Sequence, residues 1–349
     1  MRIEGEAFRA RAGKKGGTEE RKVCVDPYSF EDALTGSTVA CDYPGLQALM
    51  TENAAEPGAC ESLFFPGCSL INYALPLVQS VYDLLAKAGC ANGISLLCCG
   101  KILSYEPDGK QLRKAFEGEL IDHVAASRVK RIIAACPNCV AALRHALTSD
   151  VRTAGVEVVP LPVVLADLGY RVDAGIARDM LSRECARRHP GEEPLAPEKL
   201  LFMPKDSCPD RKTGEFADGL RAIMPAELVV EGEHRRRDSV CCGSLARAAG
   251  KFDLADSQAR QHGTEALAAG ASAIVTACMS CSFQLTSAQH DVPVFHYLEL
   301  LFDWRIDWQH VDSYMKLRFL FDDSLGVAPA ASSNRAFVGL GGDASAKGE

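Results

Sequence analysis

Ten of the fifteen cysteines in this 349-residue chain fall into one pattern that occurs twice, and thiols at such regular intervals carry metal-binding or redox chemistry. The first copy is Cys68, then the adjacent pair Cys98 and Cys99 followed by Gly100, then Cys136 and Cys139 with Pro137 and Asn138 between them. The second is Cys208, then Cys241 and Cys242 followed by Gly243, then Cys278 and Cys281 around Met279 and Ser280. Corresponding cysteines lie 140 to 143 positions apart. Solenoid repeats are roughly 20 to 50 residues long, so this period reads as a duplicated domain.

The adjacent pair discriminates between chemistries. Neighbouring residues rarely both reach one tetrahedral ion without strain, whereas two sulfurs directed at different irons of a cluster meet no such difficulty. A cubane or a structural zinc takes four cysteines, and each copy here supplies five. The pattern makes sense as the ligand set of two polynuclear iron–sulfur clusters. The alternatives are buried small hydrophobes or zinc in one copy, and a thioredoxin-like role for the C-x-x-C pairs alone.

The elements that must position these thiols are alternating strands and helices. Leu63-Phe64-Phe65 leads to Gly67-Cys68, a helical stretch follows from Leu70 to Ala88, and Ile94-Ser95-Leu96-Leu97 ends at Cys98. A helix over about 110–127 and the run 131–135 then lead to Cys136. The second half repeats the plan. Leu200-Leu201-Phe202-Met203 precedes Cys208, Glu227-Leu228-Val229-Val230 precedes the second triplet, and 273–277 runs into Cys278. Both halves close alike, with 156–159 before Leu161–Leu168 and 292–295 before Tyr297–Leu301. The expected fold class is α/β: two duplicated βαβ-type domains, each with a parallel sheet and its cysteines at the strands' carboxyl ends, where ligand crevices form. Helix N-termini there lower thiol pKa values, Pro137 suits a first helical turn, and Gly100 and Gly243 let backbone approach a bulky inorganic group.

The expected organisation is an extension over 1–60 with no assigned fold, a first domain over 61–172, a charged linker over 173–198, a second domain over 199–310 and a tail over 311–349. The tail is rich in Ala, Gly and Ser, which predicts partial disorder. A net charge of −8 and a pI near 5.6 give no footprint for nucleic acid or an anionic membrane. The sequence shows no apolar signal segment and no spanning stretch, so a cytoplasmic location with free thiols is expected.

Written as C…CCG…C-x-x-C twice, the pattern resembles the CCG-domain family, whose members include the disulfide-reducing subunit of heterodisulfide reductase and the iron–sulfur subunits of glycolate and lactate oxidation systems. The resemblance covers about residues 62–305. It implies two non-cubane [4Fe-4S] clusters, one held by Cys68, Cys98, Cys99, Cys136 and Cys139, the other by Cys208, Cys241, Cys242, Cys278 and Cys281. It also implies that Cys98, Cys99, Cys241 and Cys242 are substrate-facing ligands, and that electrons pass to a disulfide or another small molecule. The chain has no ferredoxin-type C-x2-C-x2-C-x3-C run, so a ferredoxin-like or flavin-containing partner must supply the electrons. That departure sets it nearer the heterodisulfide reductase branch than the lactate and glycolate subunits. Two alternatives stand beside an oxidoreductase of the disulfide reductase type: a relay in a 2-hydroxy-acid dehydrogenase complex and a non-catalytic, metal-stabilised adaptor.

Other residues carry weaker signals. Cys24, Cys41, Cys60, Cys90 and Cys185 have no second copy and read as incidental thiols, with a mixed site of the first three as the alternative. His234 and Arg235-Arg236-Arg237 read as a solvated loop, or as a patch attracting an anionic substrate or acidic donor. In Lys205–Arg211, Asp206 and Arg211 could position substrate or hydrogen-bond cluster ligands, and helix capping explains them nearly as well. No convincing Ser–His–Asp or phosphate-loop pattern is present, and no G-x-G-x-x-G follows an expected strand.

Overall fold

The computed structural model describes residues 28–34, 38–42, 47–51, 60–105, 108–306 and 308. These divide into two compact units: 28–134 with 142–158, and 135–141 with 159–308.

The first unit opens with β1 (Tyr28–Glu31), β2 (Thr38–Asp42) and β3 (Gln47–Thr51), an antiparallel sheet in that order. This sheet lies in the extension, to which the sequence assigns no fold. Two apolar side chains anchor it, Phe30 and Leu34, both at most 1% exposed. Asp32 is also buried, and its carboxylate accepts from Leu34 N at 2.9 Å, Ser95 Oγ at 2.9 Å and Leu96 N at 2.7 Å.

Then come β4 (Ser62–Phe65), α1 (Cys68–Tyr73), α2 (Leu75–Lys87), β5 (Gly93–Ile94), α3 (Gly109–Ala126), β6 (Arg131–Ala134), α4 (Pro137–Thr148) and β7 (Glu157–Pro160). Strand order is β5-β4-β6-β7, with β4 parallel to both neighbours. Leu63-Phe64-Phe65 and Ile132-Ile133-Ala134 are all at 0% exposure, as continuous apolar runs must be when helices cover both faces of a parallel sheet. Helix α2 turns Leu75, Val78, Val81 and Leu85 inward and leaves Asp83 and Lys87 in solvent, the 3.6-residue stripe of a packed helix.

The second unit comprises α5 (Leu161–Asp167), α6 (Ala174–Arg188), β8 (Phe202–Lys205), α7 (Glu215–Ile223), α8 (Ser244–Ala248), α9 (Phe252–Ala268), β9 (Ala273–Thr276), α10 (Met279–Ala288), β10 (Val294–His296) and α11 (Tyr297–Leu301). Its sheet is parallel, in the order β10-β9-β8. The expected duplicated α/β plan with parallel sheets is present.

Four local features differ from the expectation. The expected linker contains α6, capped by Asp173 accepting from Ile176 N at 2.9 Å and burying Ala177, Met180 and Leu181. Its alternating charges do not form a solvated connector but pair along the helix, Glu184 with Arg187 and Arg188. The closing helix α5 of the first half belongs to the second unit and packs on α7. There Gly219 permits the contact, because a Cβ would come 2.9 Å from the Pro162 backbone. The run 227–230 forms a short 3-10 turn and one bridge, Phe202 to Val229, so the second sheet has three strands where the first has four. Of the run 94–97, only Ile94 is in a strand.

The expectation of disorder beyond residue 311, and all of Cys24, lie outside the described residues. No helix among the described residues is long and apolar enough to cross a membrane.

Candidate metal centre

Outside the CCG triplets, the cysteines stand where the strands end, as expected. Cys68 opens α1 three residues after the last residue of β4, and Cys208 follows the last residue of β8 by the same interval. Cys136 and Cys278 each come two residues after a strand, and Cys278 is the N-cap of α10. The CCG triplets occupy loops, the second one immediately before α8.

In both triplets the glycine N–H donates back to the first sulfur, Gly100 N to Cys98 Sγ and Gly243 N to Cys241 Sγ, each at 3.4 Å. That turn requires left-handed backbone, with φ of 70° at Gly100 and 101° at Gly243. The close approach these glycines permit is to their own domain's helix. A Cβ at Gly100 would lie 2.5 Å from the Phe116 ring, and one at Gly243 would lie 2.2 Å from the Ala255 carbonyl oxygen.

All five second-copy thiols are joined. Cys208 is in hydrogen-bond contact with Cys241, Cys241 with Cys242, Cys242 with Cys281 and Cys281 with Cys278. Three are nearly inaccessible: Cys242 at 1%, Cys278 at 1% and Cys281 at 3%. Cys278 also meets Cys136, which lies with residues 135–141 in this unit.

Hydrogen bonds from Cys208 and Cys242, and from the N–H groups of Gly243 and Leu245, hold Cys241 far below the usual thiol range, against the effect of burial. The contact with Cys241, then burial, raises Cys208. Contacts with Cys241 and Cys281 raise Cys242, and the contact with Cys136 raises Cys278. For Cys281 the bond from Cys242 acts downward, but Cys278 and burial carry it up to about 12.

Lys205 is the cation of this site, 2% exposed. Its Nζ donates to the Asp206 carbonyl oxygen at 2.9 Å and faces Cys281 Sγ at 3.9 Å. Burial acts to lower its pKa, but attraction to Cys281, Cys242, Cys208 and Cys278 outweighs that, and the net direction is upward. Burying an ammonium costs several kcal/mol unless an anion faces it, and here sulfur faces it.

The surrounding residues hold the loops. Asp206, 3% exposed, accepts from Arg221 Nη1 at 2.8 Å, Arg221 Nη2 at 3.0 Å and Arg236 N at 2.7 Å. It thereby ties the Arg235–Arg237 segment to the strand end that leads to Cys208. Arg236, at φ 52°, also pairs with Asp218. His262, 1% exposed, has Nε2 3.4 Å from the Cys241 carbonyl oxygen, and Glu265 links it to His234. Asp210 caps the next turn, accepting from Thr213 Oγ1 and Ala217 N at 3.0 Å each. Arg211 is exposed.

In the first copy Cys98 and Cys99 are buried at 3% and 5%, Cys139 at 1%, and Cys68 and Cys136 are part-exposed. Cys68, Cys98 and Cys99 fall in the first unit, Cys136 and Cys139 in the second. Among the unrepeated cysteines, Cys60 is buried beside Gly93, and burial raises its thiol to about 11. Cys90 and Cys185 are part-exposed. The side chain of Cys41 is outside the described residues. Sequence reasoning does not single out Lys205, His262, Arg221 or Asp32. For Lys205 a signal exists: it stands three residues before Cys208, where the first copy has Phe65 before Cys68.

No group of three or more His, Cys, Asp or Glu side chains among the described residues is arranged to hold a single metal ion. The second-copy donor set nonetheless fits a polynuclear iron–sulfur group. Five thiols adjoin one another, an N–H and a buried ammonium point at sulfur, and the buried hydroxyls of Ser207 and Ser239, near Cys208 and Cys241 in sequence, have no partner among the described residues.

Comparison with known proteins agrees at the level of the domain. The cysteine-rich domain CCG matches residues 62–144 and again 206–286. Among curated proteins, none matches this chain. Among solved structures, glutamate racemase isoform RacE1 from Bacillus anthracis is similar over 70% of this chain and 79% of its own, at 11% identity and a TM-score of 0.31, a likeness that carries no argument. The cysteine content of the duplicated domain supports iron–sulfur binding and a role in electron transfer. On the residues and the duplicated match together, this chain carries two copies of the CCG cysteine-rich domain.

Proposed function

We propose that this chain is the disulfide-reducing, heterodisulfide-reductase-like component of an electron-transfer assembly, with one non-cubane [4Fe-4S] cluster at each copy of its motif. The observation that carries this reading is the continuous contact among Cys208, Cys241, Cys242, Cys281 and Cys278. Such clusters, when bound, supply one-electron storage at a potential set by the protein around them.

The chain's own part is to hold and bias that chemistry. The glycine N–H groups donate to Cys98 and Cys241, Lys205 sets a positive charge against the sulfurs, and Asp206 with Arg221 fixes the approach to Cys208. In the reaction the substrate S–S bond breaks, each sulfur gains one electron and one proton, and two thiols leave. Both electrons come from a ferredoxin-like or flavin-containing partner, and the protons come from solvent.

The test is to reduce the isolated chain with dithionite, remove the excess and add a small aromatic disulfide. The reading expects up to one disulfide cleaved, with two thiols released, per two electrons stored. A chain that reduces reversibly but leaves the disulfide intact would be a relay within a larger dehydrogenase instead.

A further inference from the structure

The strand registers superpose the two copies residue on residue. Phe65 is the last residue of β4, pairs with Ala134 and precedes Cys68 by three positions. Lys205 is the last residue of β8, pairs with Thr276 and precedes Cys208 by three. Ala134 and Thr276 in turn stand two residues before Cys136 and Cys278. The duplicated fold therefore places Phe65, at 0% exposure, where its other copy places Lys205, at 2%. The difference extends along the sheet, because Thr276 pairs with His296. The second sheet ends in a buried polar row, Lys205, Thr276 and His296, where the first has Phe65 beside Ala134.

The charge of Lys205 is committed to sulfur. Its two hydrogen-bond partners are the Asp206 carbonyl oxygen and Cys281 Sγ. The adjacent carboxylate, Asp206, is taken up by Arg221 and by the N–H of Arg236. Among the described residues Lys205 makes no ion pair with a carboxylate.

We infer that Lys205 is a positioning charge that makes the second-copy centre the more oxidising of the two, so that the first electron to enter the chain settles there. A reduced centre carries one more negative charge than an oxidised one. A fixed ammonium beside its ligands, shielded from water, favours the reduced state, and a phenyl ring in the same place does not. This inference rests on the reading that both copies hold iron–sulfur clusters.

The experiment is an anaerobic redox titration of the iron-loaded chain, followed by visible and paramagnetic-resonance spectra. A Cys98→Ser/Cys99→Ser variant assigns the signals of the second copy. Iron and acid-labile sulfide are measured first: a wild-type chain holding neither refutes the cluster reading itself. Given loaded protein, the second-copy midpoint is expected above that of the first. Lys205→Met, close in volume, should lower it so that the reduced-to-oxidised ratio at a fixed potential falls at least tenfold, which is about 59 mV for one electron. Lys205→Arg should restore most of the shift, and the first-copy midpoint should not move. The inference is overturned if the wild-type second-copy midpoint lies at or below the first, a result that needs no Lys205 variant to fold. It is equally overturned if Lys205→Met retains its iron and its potential.

Discussion

The two copies of the motif agree in their sulfur-binding loops and disagree in what lies beneath them. The turn that brings a glycine N–H to the first sulfur of the triplet has the same 3.4 Å contact in both. The support behind each triplet differs. In the first copy the loop before Cys98 is held from the N-terminal extension, through the Asp32 carboxylate on Ser95 and Leu96. In the second, Cys241 rests on His262 and through it on Glu265 and His234. Duplication kept the order of the thiols and the turn that places them, and left the buried surroundings free to diverge. Two centres built from one template can thus have different electrostatic environments with the same order of ligands.

The strongest way to break this comparison is to remove one triplet at a time. Cys241→Ser with Cys242→Ser, and separately Cys98→Ser with Cys99→Ser, should each lower bound iron from about eight to about four atoms per chain by elemental analysis. Loss of all iron in either double variant would mean that the copies do not hold separate centres.

Asp32→Ala should destabilise the first unit by about 3 kcal/mol, since it leaves buried donors on Ser95 and Leu96 without their charged acceptor. Denaturant unfolding would register this, and a change within error would show that the extension is not part of that unit's support.

Gly243→Ala should cost about 2 kcal/mol and Gly100→Ala about 1 kcal/mol, read from the same denaturant curves. The new methyl meets fixed backbone at Ala255 in the second copy, but a ring that can swing, Phe116, in the first. An equal cost at both positions would contradict that distinction.

The smallest effect is in acid. Burial alone would raise the Glu265 carboxyl, but hydrogen bonds from His262 and His234 bring it down from 4.5 to about 2. A depressed carboxylate contributes stability that is present above its unfolded value, so this contribution fades as the pH falls from about 4.5 towards 2. Glu265→Gln should flatten that part of the stability profile relative to wild type.

Much of the fold and of the site is legible in the sequence. The apolar runs ending at Cys68, Cys136 and Cys278 read correctly as buried parallel strands, because such strands are hydrophobic on both faces. Helix α6 is not legible, because four arginines and two acids crowd its sequence and it buries only a narrow stripe around Ala177, Met180 and Leu181. The run 227–230 looks like a strand locally, yet only Val229 pairs, a tertiary outcome that local pattern does not contain. Lys205 sits in a segment whose charges helix capping would explain. Its meaning emerges once the register aligns it with Phe65.

The central claim is that the repeated cysteines hold two iron–sulfur clusters. The most direct test is iron, acid-labile sulfide and zinc per chain after strictly anaerobic purification, with the visible spectrum recorded before and after dithionite. The account predicts about eight irons and eight sulfides, with absorbance that bleaches on reduction. Stoichiometric zinc with no sulfide and no bleaching would contradict it.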